Sequence, residues 1–335
     1  MTFEPAVRAH LEATDPMMFS GVDVATRRLL LTKDIDRIFT LFGLPGPEVH
    51  AIQDHQVAVE GGTILVRSYH PVATGNLPAH VLIHGGGWST GSIDELVADA
   101  TARHRAVETG CVVVLVEYRL APEHPFPIPV DDILAATRWV IDSAASLGVD
   151  AGVVSLGGAS AGANLAAAAV AAAPELTIAA LVLEVPFLDL TGHSARAAIR
   201  ELGLDPEEAE LLVQVQDEYD RAAAAYLAGA PATTPLASPY FLEDLTRFPP
   251  TYVLTAGLDP LRAEGEEFVR RLQAAGVVAS VTRYPGALHG SPILTATWPT
   301  ARRWQDDILA ILAEVHRRPV QPAAVRREPS TQRMP

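Results

Sequence analysis

The sequence predicts an α/β protein: a mostly parallel central sheet covered by helices, with a helical cap outside the main alternation. Three observations carry that reading. From about residue 56 onward, apolar strand-like runs alternate with helical periodicities. Those runs are continuously apolar, as strands buried on both faces must be. Helical segments before residue 47 and between residues 190 and 250 break the alternation, and together they read as a cap over one sheet edge.

Asp23 caps a helix starting at Val24, on which Leu31, Ile35, Ile38 and Phe42 recur on one face. "QVAVEGGTILVRSYHP" from Gln56 reads as two strands around a Gly-Gly turn, and "AHVLIHGGG" as an apolar strand running into glycines. "CVVVLVEY" precedes a helix from about Val130 to Ala145, and "AGVVSLGG" precedes one from Ser160 to Ala173. "LTIAALVLEV" is the next strand. Asp205-Pro206-Glu207-Glu208 then starts a helix, with proline at its first position and Leu212, Val215, Tyr219 and Tyr226 along one face. "TYVLTAG", a helix near Ala263 to Ala275, "VVASVTRY" and a last helix to about His316 complete the alternation. The division expected is cap helices over 1–50, a catalytic domain over 51–190 and 250–318, a cap insertion over 191–249 and a disordered tail over 319–335.

The 335 residues are 49% hydrophobic and 19% charged, enough for a large core and too apolar for a disordered chain. A net charge of −15 argues against nucleic acid or an anionic membrane as partner. Cys111, the single cysteine, lies in an apolar strand, so no internal disulfide forms and a buried inert thiol is expected. The N-terminus lacks the pattern of a secretory signal and no apolar run is long enough to span a membrane, so a cytoplasmic location is expected. The residues leave the oligomeric state open, a homodimer included. Scattered histidines give no metal-ligand spacing, and the lone G-x-G patterns lack a dinucleotide context.

The chemistry is concentrated in "VVSLGGASAGANL". Gly158-Ala159-Ser160-Ala161-Gly162 fits G-x-S-x-G between a strand and a helix, the setting of a nucleophile elbow. There a strained turn lifts Oγ clear of the sheet, and the helix N-terminus behind it favours developing negative charge. Gly85, Gly86 and Gly87 end an earlier strand and can expose amides to a tetrahedral intermediate. Asp259 and His289 follow later strands in the order Ser, Asp, His, on the same sheet edge.

"HGGGW", "VEYRLAPEHPFP", "GGASAGANL", "PPTYVLTAGLDPLRAEG" and "YPGALHG", taken together, resemble the bacterial hormone-sensitive-lipase-like esterases of the α/β-hydrolase superfamily, from about His55 to Val315. The resemblance implies an α/β-hydrolase fold with Ser160, Asp259 and His289 as triad. It also implies an oxyanion hole from the amides of Gly86, Gly87 and Ala161, carboxylic ester substrates that are often short-chain, and no metal or organic cofactor. Family members carry a cap built from an N-terminal segment and a later insertion, as the periodicity here suggests on its own. Where the family usually has Asp or Thr this chain has Ala159; Ala163 replaces Gly, Ala263 replaces Asp, and Ser291 stands where an aromatic or large apolar residue is common. None of these removes a triad atom or an oxyanion amide.

Other polar residues near these motifs read as structural. His84 is expected to orient its loop through a backbone hydrogen bond. Glu117, Arg119 and Glu123 are expected to form one buried ion network, and Asp131 and Asp132 to cap or flank the next helix. Trp88 either lines the substrate pocket or simply packs. The function expected is a serine carboxylesterase for short- to medium-chain esters. Amide hydrolysis and acyl transfer use the same residues. A small-molecule receptor, as in the gibberellin receptors that resemble this family without its histidine, is disfavoured by His289.

Overall fold

The structure, a computed structural model, describes residues 22–73 and 75–317 together with Pro5 and Ala9. Most of the expected cap segment before residue 22, and the tail from 319, lie outside the described residues. In chain order come α1 (Val24–Phe42), the hairpin β1 (Ala51–Val59) and β2 (Gly62–His70), β3 (Leu77–Ile83), α2 (Leu96–Thr109) and β4 (Val112–Glu117). Then follow α3 (Ile128–Asp142), the short α4 (Ala144–Leu147), β5 (Val149–Ala159), α5 (Ala161–Ala172) and β6 (Leu181–Glu184). Two helices, α6 (His193–Glu201) and α7 (Pro206–Leu227), interrupt the alternation before β7 (Thr251–Ala256), α8 (Arg262–Ala274), β8 (Ala279–Tyr284) and α9 (Pro299–Val315).

The strands form one eight-stranded sheet in the order β1-β2-β4-β3-β5-β6-β7-β8. Only the β1–β2 and β2–β4 pairings are antiparallel. From β4 to β8 every neighbour is parallel, so all those strands deliver their carboxyl ends to one edge. The register of β4 explains its unbroken apolar sequence. Val112, Val114 and Val116 pack with Val130 and Ile133 of α3, while Cys111, Val113 and Leu115 pack with Ala98, Ala102 and Ala106 of α2. Each face thus removes its own apolar area from water, at about 25 cal/mol per Å². Helix α5 has no polar side because Ala161 to Val170 are all buried.

Both expected caps form. Asp23 accepts from Thr26 N at 3.0 Å, and Asp205 accepts from Glu208 N at 2.9 Å with Pro206 opening α7. Helices α2 and α6 carry no clear signal in the sequence. β1 starts at Ala51, earlier than expected, because its polar residues are held by cross-strand partners, Asp54 by Arg67 at 2.6 Å. β6 is shorter than its apolar run, since the chain joins the ladder only at Leu181.

Candidate active site

The elbow follows from backbone sterics. Ser160 lies between β5 and α5 at φ 55° and ψ −117°, a region a residue with a Cβ occupies only when its surroundings enforce it. The enforcement comes from crossing chains. A Cβ on Gly158 would sit 2.6 Å from Ile83 O, and one on Gly162 2.3 Å from the same oxygen. Ser160 N donates to Glu184 O at 2.9 Å, which ties the turn to the end of β6. Fully buried Asn164, four residues on, donates through Nδ2 to Phe187 O at 2.9 Å and Ala237 O at 2.8 Å. It anchors the first turn of α5 to two loops, a role the sequence did not signal.

The loops after β7 and β8 meet on the same edge. Asp259 is 1% exposed, accepts Leu261 N through Oδ1 at 3.0 Å, and contacts His289 Nδ1 through Oδ2 at 2.7 Å. A carboxylate only accepts, so Nδ1 carries the proton and Nε2 is left with its lone pair. No hydrogen bond joins Ser160 Oγ to His289 among the described residues; such contacts often close only with substrate present. Ser291, a departure from the family pattern, is fully buried and accepts Leu288 N at 2.8 Å, bracing the His289 loop. Glu264 braces the opposite side by accepting Leu188 N at 3.1 Å and Asp189 N at 2.6 Å. Burial, with Asp189 beside it, pushes that carboxyl well above the usual range.

The glycine loop turns sharply beside the elbow. Gly86, Gly87 and Trp88 have φ of 110°, 57° for Trp88 and 56° for Gly87, three consecutive left-handed residues. Gly86 O accepts Ser89 N at 3.2 Å and Thr90 N at 2.9 Å, closing the turn. The amides of Gly86, Gly87 and Ala161 have no acceptor among the described residues. Gly85 has its Cβ direction 3.6 Å from the Ser160 Cβ, so loop and elbow are in contact. His84 makes the loop-orienting contact read from the sequence, Nδ1 to Gly85 O at 2.8 Å. Its ring stacks on Tyr118 at 4.3 Å, and burial lowers its pKa.

An aromatic wall runs from the turn to the base. Trp88 stacks on Tyr226 at 4.5 Å and contacts Phe187 at 5.3 Å; Phe187 meets Tyr219 at 5.8 Å, and Tyr219 meets the His289 ring at 5.2 Å. Two of these rings come from α7, which therefore lies over the catalytic edge. On the α2–α9 side of the elbow is a cavity of about 200 Å³, bounded by Gly85, Ala159, Phe39, Leu44, Ile293 and Ile308 among others. Ala159 presents only a methyl group to it.

Several residues turn out to be structural. Glu117, Arg119 and Glu123 do not form one network. Arg119 pairs with fully buried Asp132, Glu123 with Arg28, and Glu117 accepts Ile93 N at 2.7 Å. The chain turns between these residues, so each faces a different element. Asp132 accordingly anchors Arg119 and its backbone amide, and does not serve as a helix cap. A second serine–histidine contact, Ser155 Oγ with His80 Nδ1 at 2.9 Å, lies inside the sheet with both residues fully buried. No solvent or substrate reaches it. Cys111 is buried and its thiol is pushed up to about 11 by burial, the inert state expected. Among the described residues no His, Cys, Asp or Glu cluster could hold a metal ion. No helix among them is long and apolar enough to cross a membrane.

Comparison with known proteins agrees with this architecture. Residues 80–293 match the family described as alpha/beta hydrolase fold. The chain is 36% identical over 296 residues to carboxylesterase NlhH of Mycobacterium tuberculosis, covering 86% of this chain and 88% of that one. It is 35% identical over 259 residues to an arylesterase of Saccharolobus solfataricus, covering 74% and 80%. The solved hyperthermophilic esterase of the archaeon Pyrobaculum calidifontis superposes with a TM-score of 0.83 at 34% identity, over 94% of this chain and 99% of that one. By its sheet, its elbow and these relatives, the chain belongs to the α/β-hydrolase fold family, among the hormone-sensitive-lipase-like esterases.

Proposed function

We propose that the protein is a serine carboxylesterase in which Ser160, His289 and Asp259 act as one unit. The observation that carries this is the 2.7 Å contact of Asp259 with His289, held on loops at the same sheet edge as the strained Ser160 turn. His289 Nε2 takes the Ser160 proton while Oγ bonds to the ester carbonyl carbon. Asp259 holds the ring in the right tautomer and stabilises the imidazolium. The carbonyl oxygen becomes an oxyanion and accepts hydrogen bonds from the amides of Gly86, Gly87 and Ala161, backed by the N-terminus of α5. Collapse breaks the bond to the alkoxy oxygen, which leaves as alcohol with the proton from His289. Water then gives its proton to His289 and attacks the acyl-enzyme. The second collapse releases the acid and returns the proton to Ser160.

An ester has two arms, and the elbow borders both an aromatic wall and a cavity. The aromatic wall of Trp88, Phe187 and Tyr219 suits one, and the cavity beside Ala159 suits the other. Its volume of about 200 Å³ leaves room for a phenyl group or a chain of medium length against Leu82, Leu115 and Ile308, with Glu95, Arg105 and Glu184 also on its lining. Helices α1, α6 and α7 make up the cap in this reading, α7 reaching the site through the aromatic wall and α1 through Phe39 on the cavity. A cytoplasmic location and assembly as a homodimer belong to the same proposal; cell fractionation and a solution mass test them. The test of the chemistry is Ser160→Ala, which should lower ester turnover by several powers of ten with the fold intact. Unchanged kcat in the folded variant would remove Ser160 from the reaction.

A further inference from the structure

The cap helix α1 does more than cover the site. We propose that Arg28 is a positioning residue through which α1 holds the oxyanion turn in its active geometry. Its Nε donates to Ser89 O at 2.7 Å and its Nη2 to Ala121 O at 2.7 Å. The same guanidinium grips Glu123 bidentately, at 2.8 and 2.7 Å, which fixes its plane. Ala121 N in turn donates to Trp88 O at 2.9 Å. One planar side chain thus closes a ring of contacts around residues 88–89 and 121.

The turn needs an outside hold. Gly86, Gly87 and Trp88 are all left-handed, and Trp88 reaches φ 57° with a full side chain, a conformation that persists only where its surroundings enforce it. The internal bonds to Gly86 O close the turn but do not set its angle to the sheet. Tyr226 clamps the Trp88 ring from α7, and Arg28 clamps the backbone from α1. Both cap segments therefore act on the turn that carries the amides of Gly86 and Gly87. The expected consequence is in kcat, because those amides are used most in the transition state. This inference rests on the reading of Gly86 and Gly87 as oxyanion donors.

The test is steady-state kinetics on p-nitrophenyl acetate for Arg28→Met, Arg28→Lys, Arg27→Met and Ser160→Ala, each checked by thermal melting. Arg27 sits on the same helix and meets Glu218 at 3.3 Å without touching the turn. Arg28→Met should lose about tenfold in kcat with KM within about twofold, a small misplacement of the donors. Millimolar guanidinium should recover part of that loss, and Arg28→Lys, with one ammonium for two carbonyls, should fall in between. Arg27→Met should match the wild type. If Arg28→Met melts below the assay temperature, the kcat of Arg28→Lys decides. Wild-type kcat in the folded Arg28 variants, a loss confined to KM, or an equal loss in Arg27→Met would overturn the proposal. Turnover retained in Ser160→Ala would instead overturn the site itself, so the two failures are distinguishable.

Discussion

At the residue scale, the site depends on a few side chains whose partners are fixed by burial. Asp259 is 1% exposed and has one oxygen on Leu261 N and the other on His289. Replacing it with asparagine keeps the shape but presents an amide that can stabilise the wrong ring tautomer. In the serine-protease precedent that costs on the order of 10⁴ in kcat. Asp259→Asn should show a loss of that scale, whereas Asp131→Asn, at a position on α3 with no bond to the site, should be mild. Kinetics on the two purified variants check this, and a reversal of their order would place the acid elsewhere. The strand-end placement of the candidates Ser160, Asp259 and His289 was legible in the sequence, since strand-end position and chain order are written locally. Arg28 and Asn164 were not. Each acts across the fold, Arg28 on residues 61 and 93 positions away, and no local pattern encodes such a contact.

At the element scale, the parallel strands and their helices were readable because apolar periodicity and caps are local signals. Helix α2 escaped because its buried face is mostly alanine, at Ala98, Ala102 and Ala106, which leaves little contrast between faces. The expected ion network split into three because spacing along the chain does not say which way a turn sends each charge. Helix α1 contributes Phe39 to the cavity beside Ala159, where the ring is 8% exposed. Phe39→Ala should enlarge that compartment. The ratio of kcat/KM for a longer over a short ester should then rise, on the scale of about 1–3 kcal/mol that apolar pockets discriminate. Acyl and alkyl series measured separately tell which arm enters the cavity, and a ratio unmoved in both would exclude the cavity as a substrate compartment.

At the scale of the whole molecule, a buried polar chain crosses the α2–α9 side of the sheet. His316 Nε2 meets Ser155 Oγ at 2.8 Å, Ser155 meets His80, and His80 Nε2 meets Arg105 Nη1 at 3.1 Å. Arg105 then pairs with Glu184, whose other oxygen accepts Trp304 Nε1 at 3.0 Å. Burial lowers the His316 pKa to about 4, and burial with Arg105 nearby lowers that of His80 well below its usual value. The unfolded chain therefore binds more protons between the two states' pKa values. Stability is fully present above about pH 6.5 and is lost as pH falls toward about 4. His316 alone accounts for up to about 3 kcal/mol of that loss. Denaturant unfolding at pH 7 and pH 4.5 should show a smaller difference for His316→Gln than for the wild type, and equal differences would remove His316 from the linkage. Glu184 of this polar network also accepts the Ser160 amide through its backbone, so the core and the elbow share one strand end. The proposed mechanism requires that Ser160 become covalently acylated there. Acid-quenching the enzyme during turnover of p-nitrophenyl butyrate, then mapping peptides by mass spectrometry, tests it most directly. A butyryl group is expected on Ser160 and is expected to be absent from Ser160→Ala. Full turnover with Ser160 never acylated, or an acyl group that maps to another residue, would contradict it.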